Sequence, residues 1–140
     1  MLRNETQPPL RGKTNLTEQS EATVLVVEDE ALIAMDIQSI MENAGYRVVG
    51  PVSNVQAALA IVAREKPHIA LLDINLGRSN VFELADALAR SDIPMLFVTG
   101  HSRATLTGAH KDRPMVAKPF LPDVLLAAMK DLRKKLADSA

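Results

Sequence analysis

Short aliphatic runs alternating with longer segments of helical period predict an α/β chain: a doubly wound parallel sheet of five strands with helices on both faces. Two further observations point the same way. The runs are apolar at nearly every position, as strands covered on both faces must be, and residues able to do chemistry gather where the runs end. With 140 residues, 47% of them hydrophobic and 24% charged, the chain has enough material for one core of ordinary composition.

Residues 1–22 are mostly polar, with Pro8 and Pro9 and no apolar period, so they cannot offset their ordering entropy by burial and read as a flexible tail. The first strand is expected at residues 23–27, which include three Val. A helix follows over residues 31–44, with Ile33, Ile37, Ile40, Met41 and Ala44 on one face and Gly45 as its stop. Residues 46–50 form a second strand. Asn54 then caps a helix that carries Ala58, Ile61 and Val62 inward and stops before Pro67. The third strand covers residues 68–72 and ends at Asp73. Asn80 and Glu83 have the spacing of a capping box for a helix over residues 81–90, with Val81, Leu84, Ala85 and Leu88 on one face. Residues 94–98 form the fourth strand. Residues 102–112 are weakly patterned and contain Gly108, so the fourth helix should be reduced or absent. A brief fifth strand at residues 115–117 precedes a last helix over residues 121–136, with Pro122 near its start and Leu125, Ala128, Met129, Leu132 and Leu136 as its buried stripe.

Composition removes several function classes. There is no Cys, which excludes disulfides, thiolate metal sites and Cys nucleophiles and suits a reducing compartment. A formal charge of -1 lacks the basic excess that binding a phosphate backbone needs, so no nucleic-acid partner is expected. Every apolar run is shorter than the roughly 20 residues of a membrane span, and the N-terminus lacks a signal-peptide core, so a cytoplasmic protein with no membrane partner is expected.

In a doubly wound sheet, ligands bind outside the carboxyl ends of the strands. The first strand ends in Glu28, Asp29 and Glu30, the third in Asp73, the fourth in Thr99 and Gly100, and the fifth in Lys118 and Pro119. Taken singly, each has an ordinary reading: an Asp after a strand forms turns, acids at a helix start complement its dipole, and a Thr or Lys is a solvated polar group. Together on one rim they point to chemistry. Glu28, Asp29 and Asp73 would repel one another unless a cation sat among them, and Mg²⁺, a hard ion that combines one or two carboxylates with water and phosphoryl oxygen, suits the set. Beside it Asp73 can act as a nucleophile toward phosphorus, with Lys118 and Thr99 stabilising the transferred group. The three His have no such company: His68 lies at the opposite edge, and His101 and His110 fall in loops without a ligand partner.

The runs Val24-Leu25-Val26-Val27-Glu28-Asp29, Leu71-Leu72-Asp73-Ile74-Asn75, Phe97-Val98-Thr99-Gly100 and Ala117-Lys118-Pro119-Phe120 resemble, in order and spacing, the receiver domain of two-component response regulators. The resemblance covers about residues 22–137. It implies a flavodoxin-like (βα)5 fold with strand order 2-1-3-4-5, and a receiver domain over residues 23–137. It also implies that Asp73 accepts a phosphoryl group from a sensor histidine kinase, that Glu28, Asp29, Asp73 and the carbonyl of Asn75 hold Mg²⁺, and that Thr99 and Lys118 engage the phosphoryl oxygens. A cis bond before Pro119 is implied too. The switch and output surface would comprise Thr99, His101, Met115, Pro119 and Phe120. Met115 stands where the family usually has an aromatic switch residue, and Phe97-Val98-Thr99-Gly100-His101 resembles the Phe-Ala-Thr-Gly-Tyr signature of an atypical receiver subgroup of alphaproteobacteria.

The expected function is that of a single-domain regulator that signals by protein contact or drains phosphate from a kinase. Its enzymatic activity would be limited to its own phosphorylation and slow dephosphorylation. A homodimer through the last helix stays open, as do a phosphorylation-independent docking module and a receiver fragment of a hybrid kinase. An Asp-nucleophile phosphatase of the haloacid dehalogenase type would need an acid where Asn75 stands. A flavodoxin-type cofactor site would place an anion against Glu28, Asp29 and Glu30.

Overall fold

The computed structural model describes residues 22–76, 80–100 and 106–139, with side chains to residue 135. The element order is β1 (Thr23–Val27), α1 (Ala31–Asn43), β2 (Arg47–Val52), α2 (Val55–Glu65), β3 (Ile69–Asp73), α3 (Val81–Arg90), β4 (Met95–Thr99), a 3-10 turn (Gly108–His110), β5 (Met115–Ala117) and α4 (Pro122–Ser139). All pairings are parallel, in the order β2-β1-β3-β4-β5. β1, β3 and β4 are buried at every residue, which accounts for their unbroken aliphatic runs.

Period-2 alternation divides the apolar side chains between two faces. Leu25, Val27, Ala70, Leu72, Met95 and Phe97 pack under α2 and α3. Val24, Val26, Ile69, Leu71, Leu96 and Val98 pack under α1 and α4. The helices bury most of the stripes that their periods predict: Ile37, Ile40 and Met41 from α1, Ala58, Ile61 and Val62 from α2, Leu84, Ala85 and Leu88 from α3, and Leu125, Met129 and Leu132 from α4, while Ile33 and Ala128 of those stripes are half-buried. Asn54 caps α2 by accepting from Ala57 N–H at 2.8 Å.

Five details differ from the sequence reading. Ala22, placed in the tail, is buried, and its carbonyl accepts the N–H of Arg47. Ala44 is an exposed C-cap of α1 and is not part of its buried stripe. Asn80 accepts from Phe82 N–H at 2.9 Å, so its side chain caps α3 one residue earlier than a capping box would.

The fourth concerns β2, which does not end at Gly50. It runs on through Pro51 to Val52 because it is an edge strand, where a missing N–H breaks no ladder. The β1–β2 register slips by one residue there, from Leu25↔Val49 to Val27↔Val52, and the Gly50–Pro51 and Lys118–Pro119 peptides are both cis. Gly50 has φ +96°, and a Cβ on it would meet the Val52 nitrogen at 2.9 Å and the Val26 carbonyl oxygen at 3.1 Å, so no other residue fits.

The fifth is His110. It is buried on the 3-10 turn and bonded to Asp86 on α3 and to Arg113. With the fourth helix reduced, among the described residues, to this single turn, a side chain from the connection has to cover α3, and the imidazole does so. His101 and Leu136 lie outside the residues whose side chains are described.

Candidate functional site

The strand ends converge because β1, β3, β4 and β5 are parallel neighbours, so their final residues reach one rim. The extension of β2 contributes as well: the Val52 carbonyl accepts the N–H of Glu28 at 3.0 Å and ties down the chain just after β1. Glu28 and Asp73 are each 3% exposed, whereas Asp29 and Glu30 face solvent. One carboxylate oxygen from each of Glu28, Asp29, Glu30 and Asp73 lies within 4.8 Å of the others.

Lys118 enters this group from the end of β5, where its N–H donates to the Thr99 carbonyl at 2.8 Å. Its Nζ lies 3.0 Å from Oε1 of Glu28, 3.3 Å from Oδ2 of Asp73 and 3.3 Å from Oε2 of Glu30. The other oxygens are held by backbone: Glu30 N–H donates to Oε2 of Glu28, and Asn75 N–H to Oδ1 of Asp73, both at 3.0 Å. These turns aim both buried carboxylates at the rim. Thr99, 1% exposed, closes β4 beside them, paired with Ala117, the residue before Lys118.

Burial pushes the Glu28 carboxyl up to about 7. The Glu30 N–H and Lys118 pull against that shift, and the neighbouring Asp73 reinforces it. Burial also disfavours the Lys118 ammonium, but Glu28, Asp73 and Glu30 outweigh it and hold its pKa above the usual lysine value.

The donor set fits a hard divalent cation. It is all oxygen, carries more negative charge than one ammonium balances, and includes one buried carboxylate oxygen, Oε1 of Glu28, with no aligned hydrogen bond. The 3.0 Å approach of Lys118 to that oxygen is a charge contact whose geometry leaves its acceptor capacity open. Glu28, Asp29, Asp73 and Lys118 therefore come together as the sequence suggested, with the main chain of Asn75 beside them.

Glu30, expected on the rim but not among the acids around the cation, joins them. It precedes α1 without capping it, and its carboxylate turns to Lys118, 88 residues away in sequence. Its place directly after the acid pair was the available signal. Of the expected switch residues, Met115 lies at the far end of β5 from Lys118 and packs against the α2–α3 side of the core. Pro119 is exposed, and Phe120 packs on the α1–α4 side. Both line a cleft of about 310 Å³ with Ile33 and Lys118.

Residues 24–130 match the family described as the response regulator receiver domain. The chain belongs to that family. SdrG of Sphingomonas melonis Fr1, known as a solution structure, is 38% identical to this receiver, with a TM-score of 0.71 over 81% of this chain and 97% of SdrG. The phyllosphere-induced regulator PhyR of Methylorubrum extorquens is 35% identical over 103 residues, 71% of this chain and 39% of PhyR. The anti-anti-sigma factor PhyR of Bartonella quintana is 32% identical, with a TM-score of 0.73 over 89% of this chain and 53% of that one. The receiver spans about half or less of the length of its first curated relatives, 39% of PhyR and 54% of the Mycobacterium tuberculosis regulator PdtaR. These neighbours support the likeness to the alphaproteobacterial subgroup, and the five-stranded order is that of the flavodoxin-like, CheY-like fold. Among the described residues, no helix is long and apolar enough to cross a membrane.

Proposed function

We propose that this receiver accepts a phosphoryl group on Asp73 from a phosphohistidine of a sensor kinase and passes the signal on by protein contact. The observation that carries the reading is the setting of Asp73: buried at the end of β3, with Oδ2 3.3 Å from the Lys118 ammonium and three further carboxylates around it. In the transfer a carboxylate oxygen of Asp73 bonds to phosphorus as the phosphorus–nitrogen bond breaks, and the imidazole leaves with the electron pair and takes up a proton.

Asp29 and Asp73, with Glu28 and the Asn75 carbonyl, would hold Mg²⁺, which when bound would neutralise charge on the transferring phosphoryl oxygens. The chain's own groups do the remaining work. Asn75 N–H and Lys118 fix the Asp73 carboxylate from two sides, so little reorganisation is needed when the donor arrives. Lys118 supplies an ammonium to the acyl phosphate oxygens, and the hydroxyl of Thr99 supplies a neutral donor at the next strand end.

A protein partner, as in the anti-anti-sigma relative, is favoured over nucleic acid by the formal charge of -1. Intact-mass spectrometry with a small acyl-phosphate donor tests the acceptor: one Mg²⁺-dependent phosphoryl adduct is expected on the wild type and none on Asp73→Asn. Failure of the wild type with both that donor and a histidine kinase would overturn the reading.

A further inference from the structure

β5 is a weakly specified strand. It is an edge of the sheet and only three residues long, and of these only Val116 is buried while Met115 is half-buried. Register in a parallel pair is set by side-chain burial and by the chain that leads into the strand, and here burial contributes little. Yet the register decides the site, because Lys118 is the next residue. A slip of one position would carry it about 3.3 Å along the sheet and exchange the two faces.

Among the described residues of the leading chain, Leu106 is buried in the α2–α3 core, and His110 is the side chain whose hydrogen bonds tie the segment just before β5 to α3. His110 is 4% exposed and stacks on Phe82 of α3, with ring centroids 5.9 Å apart and planes at 20°. Arg113 donates from Nε to Nδ1 of His110 at 2.8 Å, and Nε2 lies 2.7 Å from Oδ1 of Asp86 on α3. The tautomer follows from these partners. An arginine Nε–H can only donate, so Nδ1 is the acceptor, and the proton on Nε2 is given to Asp86. The hydrogen bonds run in one direction, from Arg113 through a neutral imidazole to Asp86. The Arg113 N–H also donates to the His110 carbonyl at 3.1 Å, and one residue later the Pro114 carbonyl accepts the N–H of Phe97 at 3.1 Å, the first bond of the β4–β5 ladder. The last bond of that ladder is Lys118 N–H to the Thr99 carbonyl.

We propose that His110 is a positioning residue. By joining Arg113 to Asp86 it fixes the register of β5 against β4 and so sets the Lys118 ammonium beside Asp73. The phosphotransfer part of this proposal rests on the acceptor reading above; the register part does not.

The test uses His110→Phe, which keeps the ring but neither accepts nor donates, and Asp86→Ala, an exposed helical position where Ala is well tolerated. Asp86→Asn, which still offers an oxygen to Nε2–H, is the rescue, and Asn54→Ala on α2 serves as a control that loses stability away from the network. Amide hydrogen exchange is followed at Phe97 and Lys118, together with the phosphorylation rate at saturating small donor. Because about 1 Å of misplacement can cost on the order of 100-fold, a fall of at least about tenfold in rate is expected for His110→Phe and Asp86→Ala. Faster exchange at both amides should accompany it, with Asp86→Asn close to wild type. Wild-type exchange at Lys118 in both disruptive variants overturns the proposal, as does an equal loss of rate in Asn54→Ala. If the wild type takes no phosphoryl group, the acceptor reading fails, and the exchange data alone decide the register proposal.

Discussion

Replacing Lys118 by Met removes the positive charge that lies 3.0 Å from Glu28 and 3.3 Å from Asp73 while keeping most of the stem. Deleting one partner of a buried ion pair ordinarily costs about 3–5 kcal/mol. Here a proton can replace the ammonium, because burial has already pushed Glu28 up to about 7. The sign follows from linkage. A carboxylate whose folded pKa is raised contributes full stability only at low pH, and stability falls as pH rises toward that pKa. Without Lys118 the Glu28 pKa rises further, so the fall continues beyond neutrality at about 1.4 kcal/mol per pH unit. At about pH 6, where Glu28 is mostly protonated with or without Lys118, the variant should lose about 3 kcal/mol, the cost of leaving the buried Asp73 without its counter-charge. At about pH 8.5 it should lose about 5 kcal/mol, since roughly 1.5 pH units at 1.4 kcal/mol add about 2. For a domain of this size that means Tm falls of about 12 °C and about 20 °C, read by circular dichroism in chelator-treated protein. A loss that is equal at the two pH values, or larger at the lower one, would refute the assignment of Lys118 as the counter-charge of Glu28.

The Glu28 pKa also predicts a pH-dependent metal affinity: between about pH 6 and about pH 8 its ionised fraction rises about tenfold, and the calorimetric affinity for Mg²⁺ should tighten by a similar factor. Glu28→Gln should flatten that profile, and an unchanged slope would remove Glu28 from the metal's surroundings. Gly50→Ala forces a Cβ to within 2.9 Å of the Val52 nitrogen at φ +96°, so thermal melting should show a loss of at least about 1–3 kcal/mol. The same shift should loosen the Val52 carbonyl that holds Glu28 N–H, and a Glu28 amide that still exchanges slowly would contradict it. Asn54→Ala removes the acceptor for Ala57 N–H and should cost about 1 kcal/mol, with no change in Mg²⁺ affinity.

The sequence alone determined the order of elements, the faces of the helices and the acids, hydroxyl and ammonium at the strand ends. Those properties are local. A strand buried on both faces needs an unbroken run such as residues 69–72, and a helix on one face needs a period such as that of Leu84, Ala85 and Leu88, so each can be read within a few neighbouring residues. Only the tertiary structure decided what depends on which strands become neighbours. Glu28 and Asp73 are buried while Asp29 and Glu30 are not, because β1 lies between β2 and β3 and the loop after it is held down by Val52. β2 could run through Pro51 only because it is an edge, and an edge is a property of the sheet. Glu30 reaches Lys118 across 88 residues, and His110 reaches Asp86 across 24. Such pairs leave no period in the chain, since their partners meet only after the crossovers have brought distant segments to one rim or one helix face, and it is burial at that rim that pushes the Glu28 carboxyl up to about 7.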